Sequence, residues 1–396
     1  MQAGIVQRIF NEHFPAYAKK NKLHSRQRNA AWSIMTCRTS EQGYHINVCP
    51  NGDYQTTVLN SCKHRACPQC GATDTERWLE RRKAKALDCS YYQVVFTISH
   101  ALHIIWRYNR KRFTDLMFRA AWHSLRELLS DWRHLGGLPG AIAAFQSWDD
   151  DLREHCHLHF IVTAGGLNLD GRWVGCDKDI LLPTPVLAAK FRGKFIAYLK
   201  EAFSEFSATG VKRPGEQILT PPTGMRKQQC LNLLNKLGRQ RWHADIEPPY
   251  EHANGVFKYV GRYIRRGPIS ERRILAYDGQ SVTIGYAHQD KHDSETFTLS
   301  ALKFIQRLLS HVPEKGTHVV RSYGLFHPSC RDQLDLARKH LGQGPYVPIL
   351  IIPNAIEILA RMFPDQRMGL CPVCSERLRT VFICRGGQAP RWKLAA

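Results

Sequence analysis

Two groups of residues in this chain have the types and spacing to act on a phosphodiester. The first is His155-Cys156-His157-Leu158-His159-Phe160-Ile161-Val162-Thr163. Alternate side chains of a strand share a face. The three histidines therefore project to one side, and Leu158, Phe160 and Val162 to the other, where a core would lie. Two imidazoles two residues apart on one strand face, His157 and His159, can bind one divalent cation jointly. Packed or surface histidines produce the same pattern, so the pair needs a second signal. That signal is Val256-Phe257-Lys258-Tyr259-Val260-Gly261-Arg262-Tyr263-Ile264-Arg265-Arg266, with Gly267-Pro268 as the helix stop. At about 100° per residue, Ala253, Val256, Phe257, Val260 and Ile264 form an apolar stripe. Tyr259 and Tyr263, spaced i and i+4, share a line at its edge. Lys258, Arg262, Arg265 and Arg266 take the opposite side, where they are candidate DNA contacts.

Two tyrosines on such a helix could simply pack their rings at an interface. Beside a basic face and a metal-binding strand they are candidate nucleophiles. A phenol of pKa about 10 attacks poorly at neutral pH. A divalent cation such as Mg or Mn polarises the scissile phosphate and stabilises the charge built on its oxygens. Arginines beside the tyrosine add to both effects. The product, a phosphotyrosine ester, stores the bond energy, so a second strand can be joined without ATP. Two tyrosines allow cleavage and transfer in succession.

The elements that must position these groups are legible as periodicities. Tyr91–Ile98 is rich in β-branched and aromatic residues and reads as a buried strand. A helix over about 109–130 follows, then strands over 141–148 and 155–163, then a helix over about 186–206. This β-α-β-β-α order is that of a ferredoxin-like, split βαβ sheet, an α+β fold with a central antiparallel sheet. Residues 208–240 read as an irregular basic insertion containing Pro221-Pro222. After the tyrosine helix, Asp278-Gly279 suits the tight turn of a hairpin. A strand or turn near 296, a helix over 299–311, a strand near 317–323 and a helix over 330–341 complete the pattern. The expected domains are 1–85, a zinc-binding recognition module; 86–312, the catalytic domain; and 313–396, a C-terminal extension.

The chain has 13 cysteines. Cys62-x4-Cys67-x2-Cys70, with Cys49 upstream, has zinc-ligand spacing. The fourth ligand is open: the set is Cys49, Cys62, Cys67 and Cys70, or it includes His64 or Cys37. A second group, Cys371-Pro372-Val373-Cys374 with Cys384, is a weaker signal, because only three cysteines are close and Cys330 is distant. The basic run Arg81-Arg82-Lys83-Ala84-Lys85 is either a solvated helix face or one that contacts DNA.

The 396 residues carry 56 Lys+Arg against 34 Asp+Glu, a formal net charge of +22. The cations run along the whole chain, which favours a folded surface for a polyanion over a basic tail. The start has no apolar core of signal-peptide length, and no stretch approaches the roughly 18 apolar residues that span a bilayer. A cytoplasmic protein with reduced thiols, some binding metal, is the expectation.

Together the histidine strand, the Tyr-x-x-x-Tyr helix and the cysteine-rich start resemble transposases of the insertion-sequence 91 family. These are two-tyrosine HUH enzymes that move DNA by a rolling-circle-like route. The resemblance covers nearly the whole chain, through Asn60-Ser61-Cys62 to Cys70, His155 to Gly166, Tyr259 to Arg266, Tyr277-Asp278-Gly279 and Arg321-Ser322-Tyr323-Gly324-Leu325. It implies that His157 and His159 hold the catalytic cation and that Tyr259 and Tyr263 are the nucleophiles. A third polar ligand completes such sites, and Gln146, on the strand expected beside the histidines, is the candidate. It also implies zinc at the N-terminal cysteines and single-stranded or hairpin DNA as the partner. The sequence departs from the family pattern at Gly52, where a second cysteine is expected, and at Ala66, where a histidine often stands. A replication initiator or relaxase would share the same cleavage chemistry, and a zinc protein that binds DNA without cutting it would share the charge and the cysteines.

Overall fold

The computed structural model describes residues 4–176, 181–204, 218–251, 261, 267–287, 294–349, 353 and 355–386. The expected helix over 253–266 lies outside these residues apart from Gly261, and with it Tyr259, Tyr263, Lys258, Arg262, Arg265 and Arg266. The fold is a mixed α+β arrangement with antiparallel sheets.

Its largest sheet has the strand order β11-β4-β5-β3-β7, with β6 added beside β5. The strands are β3 (Tyr91–Thr97), β4 (Leu138–Trp148), β5 (Glu154–Leu167), β6 (Trp173–Gly175), β7 (Ala244–Ile246) and β11 (Val320–Gly324). One face is covered by α4 (His103–Tyr108), α5 (Arg110–Leu129), α6 (Thr184–Ala202) and α7 (Lys227–Gly238). The alternation read from β5 holds: Leu158, Phe160 and Val162 enter this core with Phe96, Phe113, Phe191 and Phe195. The rings of Phe96 and Phe191 lie 4.8 Å apart. Each fully buried phenylalanine contributes on the order of 1.5–3 kcal/mol, so this layer fixes which way β5 faces. On the opposite face, α3 (Ala72–Lys85) and the helix Arg331–His340 bring Trp78, Leu79, Leu334 and Ala337 against Ile142, Ala144 and Ile161.

A second core joins α1 (Ile5–Lys20) and α2 (Ser25–Thr36) to the helix Ala301–Ser310 and to the sheet of β8 (Ile274–Tyr277), β9 (Ser281–Ala287) and β10 (Ser294–Ser300). Ile9, Phe10, Phe304, Ile305 and Leu308 are buried there together. The expected Asp278-Gly279 turn joins β8 to β9, with the Asp278 carboxylate accepting from the backbone N–H of Gln280 (2.8 Å) and Ser281 (2.6 Å). Tyr277 donates its hydroxyl to Glu12 on α1. The apolar clusters thus cross the expected borders at 85 and 312. A third, small sheet of order β12-β1-β2 pairs β1 (Gly43–Val48) with β2 (Gln55–Leu59) and with β12 (Arg379–Arg385) from the other end of the chain.

Two readings of the sequence change. Residues 227–238, inside the stretch read as irregular, are the helix α7, whose Cys230, Leu234 and Leu237 recur at helical spacing and enter the main core. The apolar positions Ile5, Ile9 and Phe10 suggest only a short N-terminal helix; α1 instead runs through Pro15 to 16 residues, and α2, which the sequence reading lacked, packs on it. No described helix is long and apolar enough to cross a membrane.

Candidate metal and nucleotidyl-transfer site

β5 lies between β4 and β3, and the pairing register decides what stands beside each histidine. His157 lies opposite Gln146 on β4 and Thr97 on β3, and His159 lies opposite Ala144 and Val95. Directly opposed residues share a face. The histidines therefore lie on the side of the sheet covered by α3, away from the phenylalanine core. Gln146, the candidate for the third ligand that the family resemblance implies, comes within reach: its Oε1 is 3.1 Å from His157 Nε2. His157 Nδ1 donates to the backbone carbonyl of His155 at 2.9 Å, which fixes the ring and leaves Nε2 directed at Gln146. The His157 and His159 rings are 4.8 Å apart and nearly perpendicular.

Burial keeps these imidazoles neutral. His157 is held well below the ordinary histidine value, first by burial and then by the neighbouring His159. Burial and His155 push His159 down to about 4. A neutral imidazole with a lone pair at neutral pH is the form that ligates a metal. Two donors on adjacent octahedral positions, each about 2.1 Å from a magnesium-sized ion, stand about 3 Å apart, which is the spacing of His157 Nε2 and Gln146 Oε1. His157 Nε2 and Gln146 Oε1 thus have the spacing of two ligands of one divalent cation, with the His159 ring beside them.

Three neighbours were not found from sequence. Gln93 on β3 lies opposite Ile161 and so on the histidine face. It is buried, and its Oε1 has no hydrogen-bond partner among the described residues. Only the register reveals it. His100 and His103 gather around His155, with His100 Nε2 3.2 Å from His155 Nδ1; they come from the turn after β3 and the first residue of α4, where no spacing signals them.

The tyrosine segment is approached through its glycines. A β-carbon at Gly261 would stand 2.7 Å from Leu79 Cδ2 and 3.0 Å from its Cγ. Leu79 belongs to the cluster that contains Ala144 and Ile161, the neighbours of the histidines on that face. A β-carbon at Gly267 would meet the Arg65 carbonyl oxygen at 3.1 Å and Ala66 Cα at 3.2 Å. Gly261 thus lies against α3, and Gly267 against the cysteine loop.

In that loop Cys37, Cys62, Cys67 and Cys70 bring their sulfurs within 4.8 Å of one another, a set that could hold a metal ion. Cys37 caps the end of α2, and its thiol is held low by hydrogen bonds from Cys62, Cys67 and Cys70. Gln7 of α1 donates to the carbonyls of Met35 (2.8 Å) and Cys37 (2.9 Å), and Gln69 donates to Gln7 (3.0 Å), so the helical core shapes the loop. Of the open alternatives, the geometry joins Cys37 to the set and leaves out the other two. His64 Nδ1 instead accepts the backbone N–H of Ala66 at 3.1 Å. Cys49 sits at the end of β1, where its sulfur is 3.4 Å from that of Cys374. In the basic run, Arg82 donates to Ser322 (2.9 Å) and Lys85 to the Phe326 carbonyl (2.8 Å), so these two cations dock α3 onto the segment 322–326.

Comparison with known proteins bears on this site. Residues 140–333 match the family described as "Putative transposase", and residues 9–98 match "Transposase zinc-binding domain". The chain is 31% identical to the protein named "Putative transposase y4qJ" of Sinorhizobium fredii, over 96% of each chain. It is 26% identical to the "Transposase for insertion sequence element IS801" of Pseudomonas savastanoi pv. phaseolicola, over 87% of this chain and 81% of that one.

Proposed function

The chain belongs to the insertion-sequence 91 family of transposases, and from that premise we propose that it cuts and rejoins one DNA strand through a tyrosine. The observation that carries this reading is the neutral, buried His157–His159 pair with Gln146 at 3.1 Å, on the sheet face whose Leu79 touches Gly261 between the two tyrosines. The strand order β4-β5-β3-β7 supports a ferredoxin-like HUH nuclease fold around that pair.

In this reading His157, His159 and Gln146 hold a magnesium or manganese ion, which when bound stabilises charge on the scissile phosphate. Tyr259 or Tyr263 attacks the phosphorus. The new bond joins the phenolic oxygen to phosphorus, the bond to the 3′ oxygen breaks, and the phenol's proton passes through solvent to that leaving oxygen. The 5′ phosphate stays on the protein and a free 3′ hydroxyl departs. Attack by a 3′ hydroxyl of another strand reverses the step and releases the tyrosine. Lys258, Arg262, Arg265 and Arg266 neutralise the phosphates that flank the cut. Rolling-circle transposition, single-stranded or hairpin DNA at element ends, and action in the cytoplasm complete the proposal. The +22 charge suits the DNA partner.

The test incubates the full chain with single-stranded oligonucleotides and Mg²⁺ or Mn²⁺. A denaturation-resistant DNA adduct is expected, with nucleotide-linked peptides containing Tyr259 or Tyr263. The doubly substituted Tyr259→Phe, Tyr263→Phe protein should bind DNA and form no adduct. An active preparation with adducts on neither tyrosine would overturn the reading.

A further inference from the structure

We infer that Cys49, Asp53, Cys371 and Cys374 form a second zinc site, separate from the cysteine loop, which rivets the C-terminal segment to the N-terminal sheet. One ligand atom from each of these four residues lies within 4.8 Å of the others. Cys49 Sγ is 3.4 Å from Cys374 Sγ and 3.6 Å from Asp53 Oδ2. Two sulfurs about 2.3 Å from a tetrahedral zinc stand about 3.8 Å apart, and a sulfur and an oxygen about 3.5 Å. A disulfide would need about 2.05 Å. The spacing is that of ligands around an ion.

The backbone at each pair of ligands is shaped for this. Cys49 follows directly on β1, and its sulfur accepts the N–H of Asn51 at 3.4 Å. The turn closes through Gly52 N–H to the Cys49 carbonyl (3.0 Å) and Cys49 N–H to the Tyr54 carbonyl (2.7 Å). On the other side, Cys371-Pro372-Val373-Cys374 bends back through Ser375 at a φ of 62°, with Ser375 N–H on the Cys371 carbonyl (3.0 Å) and Cys371 N–H on the Glu376 carbonyl (2.7 Å). The N–H groups of Val373 and Cys374 both point at the Cys371 sulfur. Sulfurs that accept backbone N–H groups are stabilised as thiolates, and thiolates are what zinc binds. Three soft sulfurs and one carboxylate select zinc over magnesium or calcium.

The two turns meet because β12 pairs with β1 in antiparallel register, Val48 opposite Arg379, which puts both at one end of the sheet. The departure at Gly52 acquires a meaning here: Asp53, one residue later, supplies the oxygen. The sheet also lacks another source of stability. Val381 and Ile383 on β12 are 60% and 66% exposed, so apolar burial does little to hold this strand in place. A small module without a core needs a staple.

The test measures zinc in full-length protein purified under reducing conditions. Two ions per chain are expected. The Cys371→Ser, Cys374→Ser protein should retain one, and its segment 363–386 should become sensitive to protease at concentrations the parent resists. One ion in the parent protein, or two in the variant, would overturn the inference. A readout on the parent keeps the question open to test if the variant does not fold. Cys374 is exposed, yet with zinc bound it should resist alkylation and react at least tenfold faster after chelation. Alkylation of Cys374 at one rate with and without chelator, or a Cys49–Cys374 disulfide in the freshly reduced protein, would equally refute the site. None of these readouts depends on DNA cleavage.

Discussion

Replacing Gly261 with alanine tests whether α3 positions the tyrosine segment. The added β-carbon would lie 2.7 Å from Leu79 Cδ2 and 3.0 Å from Cδ1 and Cγ. Carbon atoms rest about 3.5–4.0 Å apart, so about 1 Å of overlap must be relieved at a side chain that is 4% exposed. Overpacking of that kind costs about 1–3 kcal/mol. Either Leu79 leaves its place against the sheet or the segment carrying Tyr259 and Tyr263 moves outward. Displacement of a nucleophile by about 1 Å is enough to cost on the order of a hundredfold in rate. Adduct formation by Gly261→Ala should therefore fall at least tenfold more than DNA affinity does. Leu79→Ala alone should destabilise by about 2–5 kcal/mol through the cavity it leaves. The double variant removes the clash, so its unfolding free energy should exceed the additive expectation by about 0.5–3 kcal/mol, and adduct yield should recover relative to Gly261→Ala. The assays are denaturant unfolding and adduct yield on a single-stranded oligonucleotide. Strict additivity, with cleavage unchanged in Gly261→Ala, would refute the contact's role.

The remaining predictions address the metal, acid stability and salt. His157→Ala, His159→Ala should abolish cleavage in gels while changing DNA affinity less than threefold, since affinity rests on phosphate contacts; metal-dependent cleavage at the parent rate would sink the assignment. His311 is buried, its Nε2 donating to the Leu152 carbonyl at 3.0 Å, and burial pushes its pKa down to about 4. The unfolded chain, with histidine near 6.5, binds the proton more readily, so stability is full above about pH 6.5 and is lost as pH falls toward 4, by roughly 3 kcal/mol for this residue. Urea unfolding between pH 7 and 4 should show a shallower loss for His311→Gln than for the parent, and equal slopes would refute the cause. The logarithm of DNA affinity should fall against the logarithm of salt with a slope steeper than about −3, at about 0.7 per neutralised phosphate on single strands; a flat response would contradict a phosphate-binding surface.

The parts of the fold legible in the sequence were those with a local period. β3, α5, β4, β5 and the helix Ala301–Ser310 lie close to the expected ranges, because each carries its own alternation or stripe. Gln146 was the candidate for the third ligand that the family resemblance implies, chosen on the strand expected beside the histidines, and the register pairs it with His157. What escaped was set by distant contacts. Cys37 and Cys49 cannot be sorted by spacing, since one joins Cys62, Cys67 and Cys70 while the other finds partners more than 300 residues away at Cys371 and Cys374. Gln93 reads as one polar residue in an apolar run until β3 is paired with β5. The helix α7 was hidden by the basic and proline-bearing residues around it, which outweigh three apolar positions in a short window.

The same contacts bear on why a zinc module belongs beside the proposed strand-transfer site at all. A module that only recognised DNA could be tethered by a linker, since recognition needs reach more than rigidity. Here α1 and α2 share a buried core with the helix Ala301–Ser310, and that core includes Ala66 and Cys67 of the cysteine loop together with Leu152, in the turn between β4 and β5. Gly267 lies against Arg65 and Ala66 of that loop, and Gly261 against Leu79 of the helix that follows it. Gly261 and Gly267 are thus each braced by N-terminal residues, and the turn that leads into the histidine strand is braced by the same core. Covalent attachment of a phosphate to a tyrosine needs placement within about half an ångström. Under the proposed tyrosine mechanism, a cysteine loop that holds a metal and packs into that core would supply rigidity to the nucleophile side of the reaction, which a flexible recognition domain would not.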